Sequence, residues 1–161
     1  MIVCATGHRP NKLGGYSDEA FDRLVKVMGV WLKENKPDIA VSGMALGVDQ
    51  AFAVAAIRLK IPVHAYVPCK NHSSRWPEKS QKLYDKILGR CDVVKFITDG
   101  EYTNSCMQLR NIAMVDAADL VLAVWDGTAG GTGNCVKYAE SKEKKITNLY
   151  QNWLDLAGIS G

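Results

Sequence analysis

Residues 126–134 read DGTAGGTGN, which places four glycines in nine positions. Glycine in or beside a helix costs roughly 1 kcal/mol relative to alanine, so this density asks for a reason. The stretch lies between the apolar run LVLAVW (120–125) and a segment that reads as helix. Small residues there leave backbone N–H groups open, and the helix start adds partial positive charge. Such a loop can cradle an anion, a phosphate above all, or it can simply be a flexible turn. It matches neither the Walker loop nor the GxGxxG fingerprint.

A second stretch, Ser42-Gly43-Met44-Ala45-Leu46-Gly47, repeats the design of strand, small residues and helix. Gly43 to Ala45 would add backbone donors to those of Gly130, Gly131, Thr132 and Gly133. The first strand ends in Thr6-Gly7-His8-Arg9, where Arg9 offers a fork of donors to a phosphate or carboxylate. His8 can donate to a ligand, act in acid–base chemistry, or fix its own loop. Asp49 falls in the first turn of a helix; it either caps that turn or holds a ribose hydroxyl or a water. Arg110, beside Asn111, sits on a helix whose start faces the same rim and would balance phosphate charge. Asp126 either reaches a ligand or caps the glycine loop with its own side chain. Trp125 and Tyr102 can stack on a base or pack at the rim. His64, inside a strand, reads as packed, and His72, in a polar loop, as exposed.

These residues need elements to hold them. Apolar runs at 2–5, 39–42, 61–68, 93–98, 120–125 and 146–150 read as strands. Helical spacing follows Ser17, with Phe21, Leu24, Val25, Met28, Trp31 and Leu32 on one face, and recurs over 48–59, 78–89, 104–117 and 133–143. Strands alternating with helices, several of them continuously apolar, predict an α/β chain. The expected form is a three-layer Rossmann-like sandwich with a mostly parallel central sheet. Residues 1–161 read as a single nucleotide-binding-like domain. In such a sheet the ligand crevice lies beyond the carboxyl ends of the strands, where all four loops fall.

Composition narrows the choice. Twenty Lys plus Arg against seventeen Asp plus Glu gives a net charge of +3, without the basic stripe that nucleic-acid binding favours. Lys142, Lys144 and Lys145, interrupted by Glu143, read as a solvated helix end. The five cysteines, an odd count with no Cys-x-x-Cys pair, read as reduced thiols in a cytoplasmic protein. Cys4 and Cys135 read as buried rather than nucleophilic. The opening MIVCATGHRP is too short and too soon polar for a signal peptide, and no run approaches the ~20 apolar residues of a membrane span. The sequence has no HExxH, no Cys/His cluster and no GxSxG elbow, so no metal, no resident cofactor and no serine nucleophile are expected. The tail, Tyr150 with Trp153, either packs on its own domain or supplies an apolar patch for a homo-oligomer.

TGHRPNKLGGY, SGMALGVDQAFAVAAI and MQLRN followed by ADLVLAVWDG and GGTGN together resemble the superfamily that joins DNA-processing protein A to the LONELY GUY phosphoribohydrolases. The branch is the small YpsA-like proteins of bacteria and phages, a SLOG-type Rossmannoid group. The resemblance implies pairing of subunits and a phosphate pocket around Arg110, which matches the arginine of a Met-x-x-Arg-Lys motif with Asn111 in place of lysine. A Pro-Gly-Gly-x-Gly-Thr-x-x-Glu loop aligns with Ala129 to Lys137. Here Asn134 stands for threonine and Lys137 for the catalytic glutamate. Glu140 lies three residues on, about 4.5 Å along a helix. Asp49, Glu140 and His8 are thus the catalytic candidates, none of them assigned. The leading expectation is a binding site for a phosphate-bearing small molecule, a nucleotide or its derivative. The alternatives are hydrolysis or transfer at an N-glycosidic bond, and single-stranded nucleic-acid binding, the less favoured.

Overall fold

The computed structural model describes residues 1–158; residues 159–161, the end of the expected 1–161 domain, lie outside them. Six strands form one sheet, β1 (Ile2–Gly7), β2 (Ile39–Ser42), β3 (Val63–Val67), β4 (Val93–Phe96), β5 (Leu120–Val124) and β6 (Lys145–Asn148). Their order is β4-β3-β2-β1-β5-β6, and every pairing is parallel. Helices α1 (Asp18–Asn35), α2 (Val48–Arg58), α3 (Glu78–Leu88), α4 (Cys106–Ala117), α5 (Gly131–Ser141) and α6 (Tyr150–Ala157) cover it.

Alternation along the strands divides the core in two. Val3 and Ala5 of β1 and Leu122 of β5 pack with Leu24 and Met28 of α1, Phe52 of α2 and Tyr84 of α3. Cys4 and Val121, one residue out of phase, pack with Met114 and Val115 of α4 and Cys135 and Ala139 of α5. A strand presents successive side chains to opposite faces, so both faces are apolar and the Rossmann-like sandwich follows. Helix α1 starts where the sequence indicates. The Ser17 side chain accepts the Ala20 N–H at 3.1 Å, with Asp18 and Glu19 in the first turn.

Two expectations change at the edges of the sheet. β4 was expected over 93–98 in a sheet covered on both faces; it ends at Phe96, forms the edge, and all four of its residues are exposed. The last strand was expected to run to Tyr150, but it stops at Asn148. The Asn148 Oδ1 accepts the N–H groups of Trp125 and Tyr150, both at 3.1 Å. Tyr150 then begins α6, whose Trp153 and Leu154 are buried in the core that α1 shares. The tail packs on its own domain, so Trp153 offers no free patch to a second subunit.

The chain moves outward from β1 to β4 in one direction and returns to β5 on the other side of β1. The reversal lies between β1 and β5, which pair through Gly7 and Val124 at their carboxyl ends. Such a switch point leaves a crevice, because the loops leave toward opposite faces.

Candidate functional site

A cleft of about 430 Å³ opens at this switch point. Its walls are the β1 loop (Thr6, Gly7, His8, Arg9, with Asn11 and Lys12), Ala45 and Asp49 beside α2, Met107, Arg110 and Asn111 of α4, and residues 128–133. Four segments spread over the whole chain thus meet, as the loops were expected to do.

The glycine loop supplies the donors. Gly130 caps α5 with φ +144°, a conformation L side chains rarely adopt, and brings no side-chain oxygen to the helix end. The first intrahelical bond runs from the Asn134 N–H to the Gly130 carbonyl at 2.8 Å. The N–H groups of Gly131, Thr132 and Gly133 therefore lack a helical acceptor. A Cβ on Gly130 or Gly131 would touch nothing within 4 Å, so this end is open.

The loop itself is pinned from below. Asp126 does not line the cleft; its Oδ1 accepts the Thr128 N–H at 3.0 Å and the Thr128 hydroxyl at 2.5 Å. Those two bonds, with His8, hold its carboxyl well below the usual carboxylate range. His8 Nε2 accepts the Asp126 N–H at 3.1 Å when unprotonated and meets Asp126 Oδ1 at 2.8 Å when it carries the proton. Trp125 Nε1 donates to the Thr128 carbonyl at 2.8 Å. Asp126 thus caps the loop, an alternative the sequence had left open, and Trp125 braces it through a hydrogen bond that the sequence did not indicate. A depressed carboxyl favours the fold above its unfolded pKa and loses that contribution as pH falls through the folded value. Asp126→Asn is expected to abolish this acid-side dependence and to speed hydrogen exchange at the Thr128 amide, which NMR reads directly.

The second loop behaves differently from its expected role. Ser42, Gly43 and Met44 do not line the cleft. The Ser42 hydroxyl donates to the Asp49 carbonyl at 2.7 Å and accepts the Met44 N–H, and the Met44 side chain is buried in the core. The Ala45 N–H donates to Asp49 Oδ2 at 3.3 Å. The Met44 and Ala45 amides are already paired, so they do not form an anion cradle. Gly43 serves Arg110: a Cβ there would lie 2.4 Å from its Nη1. Arg110 donates from Nη1 to the Gly43 carbonyl at 2.5 Å and from Nε to Asn111 Oδ1 at 2.9 Å, and stands 3.7 Å from Asp49 Oδ2. Burial pushes the Asp49 carboxyl up, against the pull of Arg110 and the Ala45 amide.

Arg9 and Lys12 are the exposed cations of the cleft, Lys12 with its Nζ 4.0 Å from Asp126 Oδ2. Arg9 is exposed, and among the described residues its guanidinium makes no hydrogen bond or ion pair. Lys12 was missed in the sequence. A short 3-10 turn, Pro10–Lys12, brings its Nζ to the Thr128 hydroxyl at 3.0 Å. The signal was present in Pro10, which favours that turn and returns the chain toward the loop. Asn111, whose Nδ2 reaches the Gly131 carbonyl at 3.5 Å, was noted only as Arg110's neighbour.

Glu140 is exposed and absent from the cleft. Nine residues beyond Gly131, it lies about 13 Å down the helix axis. Lys137 is exposed on the same helix. His72 also corrects its expectation: both ring nitrogens are buried, and the ring meets Trp76 and Tyr84 edge-on. Burial, with Arg110 and Arg9 nearby, lowers its pKa to about 3. Among the described residues no three His, Cys, Asp or Glu side chains are arranged to hold a metal ion, and no helix is long and apolar enough to cross a membrane.

Comparison with known proteins places this geometry in context. The family model YpsA, described as the YspA SLOG family, matches residues 3–155. The chain is 30% identical over 149 residues to the uncharacterized SPbeta prophage-derived protein YoqJ of Bacillus subtilis (strain 168), covering 82% of this chain and 84% of that protein. Among solved structures, DNA processing protein A of Streptococcus pneumoniae superposes with a TM-score of 0.66 at 18% identity. The match covers 97% of this chain and 54% of that one, so this chain spans about half its length. DNA processing protein A of Helicobacter pylori, described for its single-stranded DNA binding mode, gives 0.65 at 17%, covering 100% and 74%. The molybdenum cofactor carrier protein of Chlamydomonas reinhardtii gives 0.60 at 16%, covering 98% and 85%. At these identities the structural likeness speaks for the fold.

Proposed function

This chain belongs to the YspA SLOG family, and from that premise we propose that it binds a nucleotide or a nucleotide-derived small molecule through phosphate. One observation carries the reading. The uncapped first turn of α5 opens into a cleft that two accessible cations, Arg9 and Lys12, also line. A helix start with free N–H groups favours an anion through both hydrogen bonds and the helix dipole. The cleft volume of about 430 Å³ falls in the range of small-molecule sites, roughly 300–1,000 Å³.

Binding is better supported than N-glycosidic hydrolysis. Asp49 is the one carboxylate among the described residues lining the cleft, and it is engaged by the Ala45 N–H and faces Arg110. Both contacts fall on Oδ2; Oδ1 is left, but the residue is only 5% exposed, which leaves little room for the water a general base must hold. One structural neighbour is described for its single-stranded DNA binding and another as a molybdenum cofactor carrier, and both of those ligands carry phosphate. The discriminating measurement is calorimetry with AMP. Arg9→Ala is expected to weaken AMP about tenfold or more, the worth of one charged hydrogen bond of ~1.5–3 kcal/mol, without lowering the unfolding midpoint. No heat of binding for the native chain at millimolar AMP would end the proposal.

A further inference from the structure

Beyond Arg9 and Met107, which line both, lies a second hollow of about 430 Å³. Its walls include Asn71, His72, Arg75, Trp76, Glu101 and Tyr102. They come from the loops that follow β3 and β4, so this space too sits at the carboxyl edge of the sheet. The two loops are tied together. The Tyr102 N–H donates to Asn71 Oδ1 at 2.8 Å, the Lys70 N–H to the Gly100 carbonyl at 3.1 Å, and the Thr98 hydroxyl to the Pro68 carbonyl at 2.7 Å. The wall is therefore held before any ligand arrives.

The chemistry of this wall differs from that of the glycine cleft. Trp76 stands edge-on to His72 and Tyr84, with ring centroids 4.9 and 5.3 Å away, which fixes its plane. Tyr102 is 58% exposed, so its ring is accessible to a ligand. Arg75 is exposed, and among the described residues its guanidinium has no hydrogen bond or ion pair. His72 Nδ1 and Nε2 are both without partners, whereas buried polar atoms ordinarily find one. Partly exposed aromatic side chains suit stacking on a flat ring, and an arginine close by suits the phosphate that carries it.

We infer that this hollow is a ring-stacking subsite and that the ligand is two-ended, with a nucleotide phosphate at the start of α5, a second ring system at Trp76 and Tyr102, and Arg9 on the phosphate bridge between them. The inference rests on the anion reading of the glycine cleft and names its ligand class: a dinucleotide rather than a mononucleotide.

Calorimetry on the full chain tests it with AMP, ADP, NAD and a thymidine tetranucleotide as probes. Stacking is worth ~1–3 kcal/mol per ring, so NAD is expected to bind about 5- to 150-fold more tightly than AMP or ADP. In Tyr102→Ala and in Arg75→Ala the ratio of NAD to AMP affinity should fall toward one. Both residues are exposed, so their replacement leaves the fold intact, checked by an unchanged unfolding midpoint. If AMP binds but NAD gains nothing, or the gain survives in both variants, the two-ended ligand is wrong while the phosphate site stands. If the tetranucleotide outbinds NAD, the hollow belongs to a single-strand track and the inference fails. If neither AMP nor NAD binds, the phosphate reading fails and the inference with it.

Discussion

Arg110→Ala is expected to destabilise the fold by about 3–5 kcal/mol, the cost of leaving one member of a buried ion pair without its partner. The Arg110 and Asp49 side chains are each only 6% exposed. Removing the guanidinium also frees the Gly43 carbonyl and Asn111 Oδ1 inside the protein. A urea titration reads the loss as a lower midpoint. Its pH dependence carries the mechanism. Burial already raises the Asp49 carboxyl, and Arg110 is the strongest opposing influence. Without it the folded-state pKa climbs further. A carboxyl raised in the folded state binds its proton more tightly there than when unfolded. Stability from that proton is full below the ordinary carboxylate value of ~3.9 and is lost as pH rises through the folded value. The deficit of Arg110→Ala relative to the native chain should therefore shrink as pH falls from neutrality. A deficit that stays constant with pH would show that Asp49 does not feel Arg110. An unchanged midpoint at neutral pH would show that the pair is not structural.

Gly131→Asp should do the reverse, removing function while sparing the fold. A Cβ at Gly131 meets nothing within 4 Å, and its φ lies outside the left-handed region. Aspartate in the first turn of a helix contributes ~0.3–1 kcal/mol, so the unfolding midpoint should hold or rise. The new carboxylate, however, would take the place proposed for a ligand phosphate and repel it. AMP affinity should fall by about 10- to 100-fold or more, the worth of the charged bonds displaced. Gly131→Ala is the matched control, adding a Cβ without charge, and should bind AMP nearly as the native chain does. Equal AMP affinity in Gly131→Asp would remove α5 from the site. The contrast between the two variants separates an arginine that holds the cleft together from a backbone that would hold the ligand.

Much of the architecture was legible because it depends on local pattern. Continuous apolar runs specify strands buried on both faces, and Ser17 with Asp18 and Glu19 marks a helix start. The exposed edge of β4 was not legible, since Val93, Val94 and Phe96 have the same propensity whether or not a helix lies over them. Helix α6 was hidden by Asn148, which ends β6 through side-chain bonds to two distant or following amides. His72 in its polar loop looked solvated because nothing near it in sequence announces that Trp76 and Tyr84 enclose it.

For the site, the sequence by itself determined where donors would be open. An uncapped, glycine-started helix leaves its first N–H groups without helical acceptors, and a helix that follows a parallel strand starts at that strand's carboxyl end. Only the tertiary structure decided which charges remain available. Arg110 meets Gly43 across 67 residues and Asp126 meets His8 across 118, so both are engaged inside the protein. Arg9 and Lys12, equally basic on paper, stay at the surface of the cleft. The physical reason is that backbone donors follow from local dihedrals, whereas the freedom of a charged side chain depends on partners that only the folded chain brings within a few ångströms.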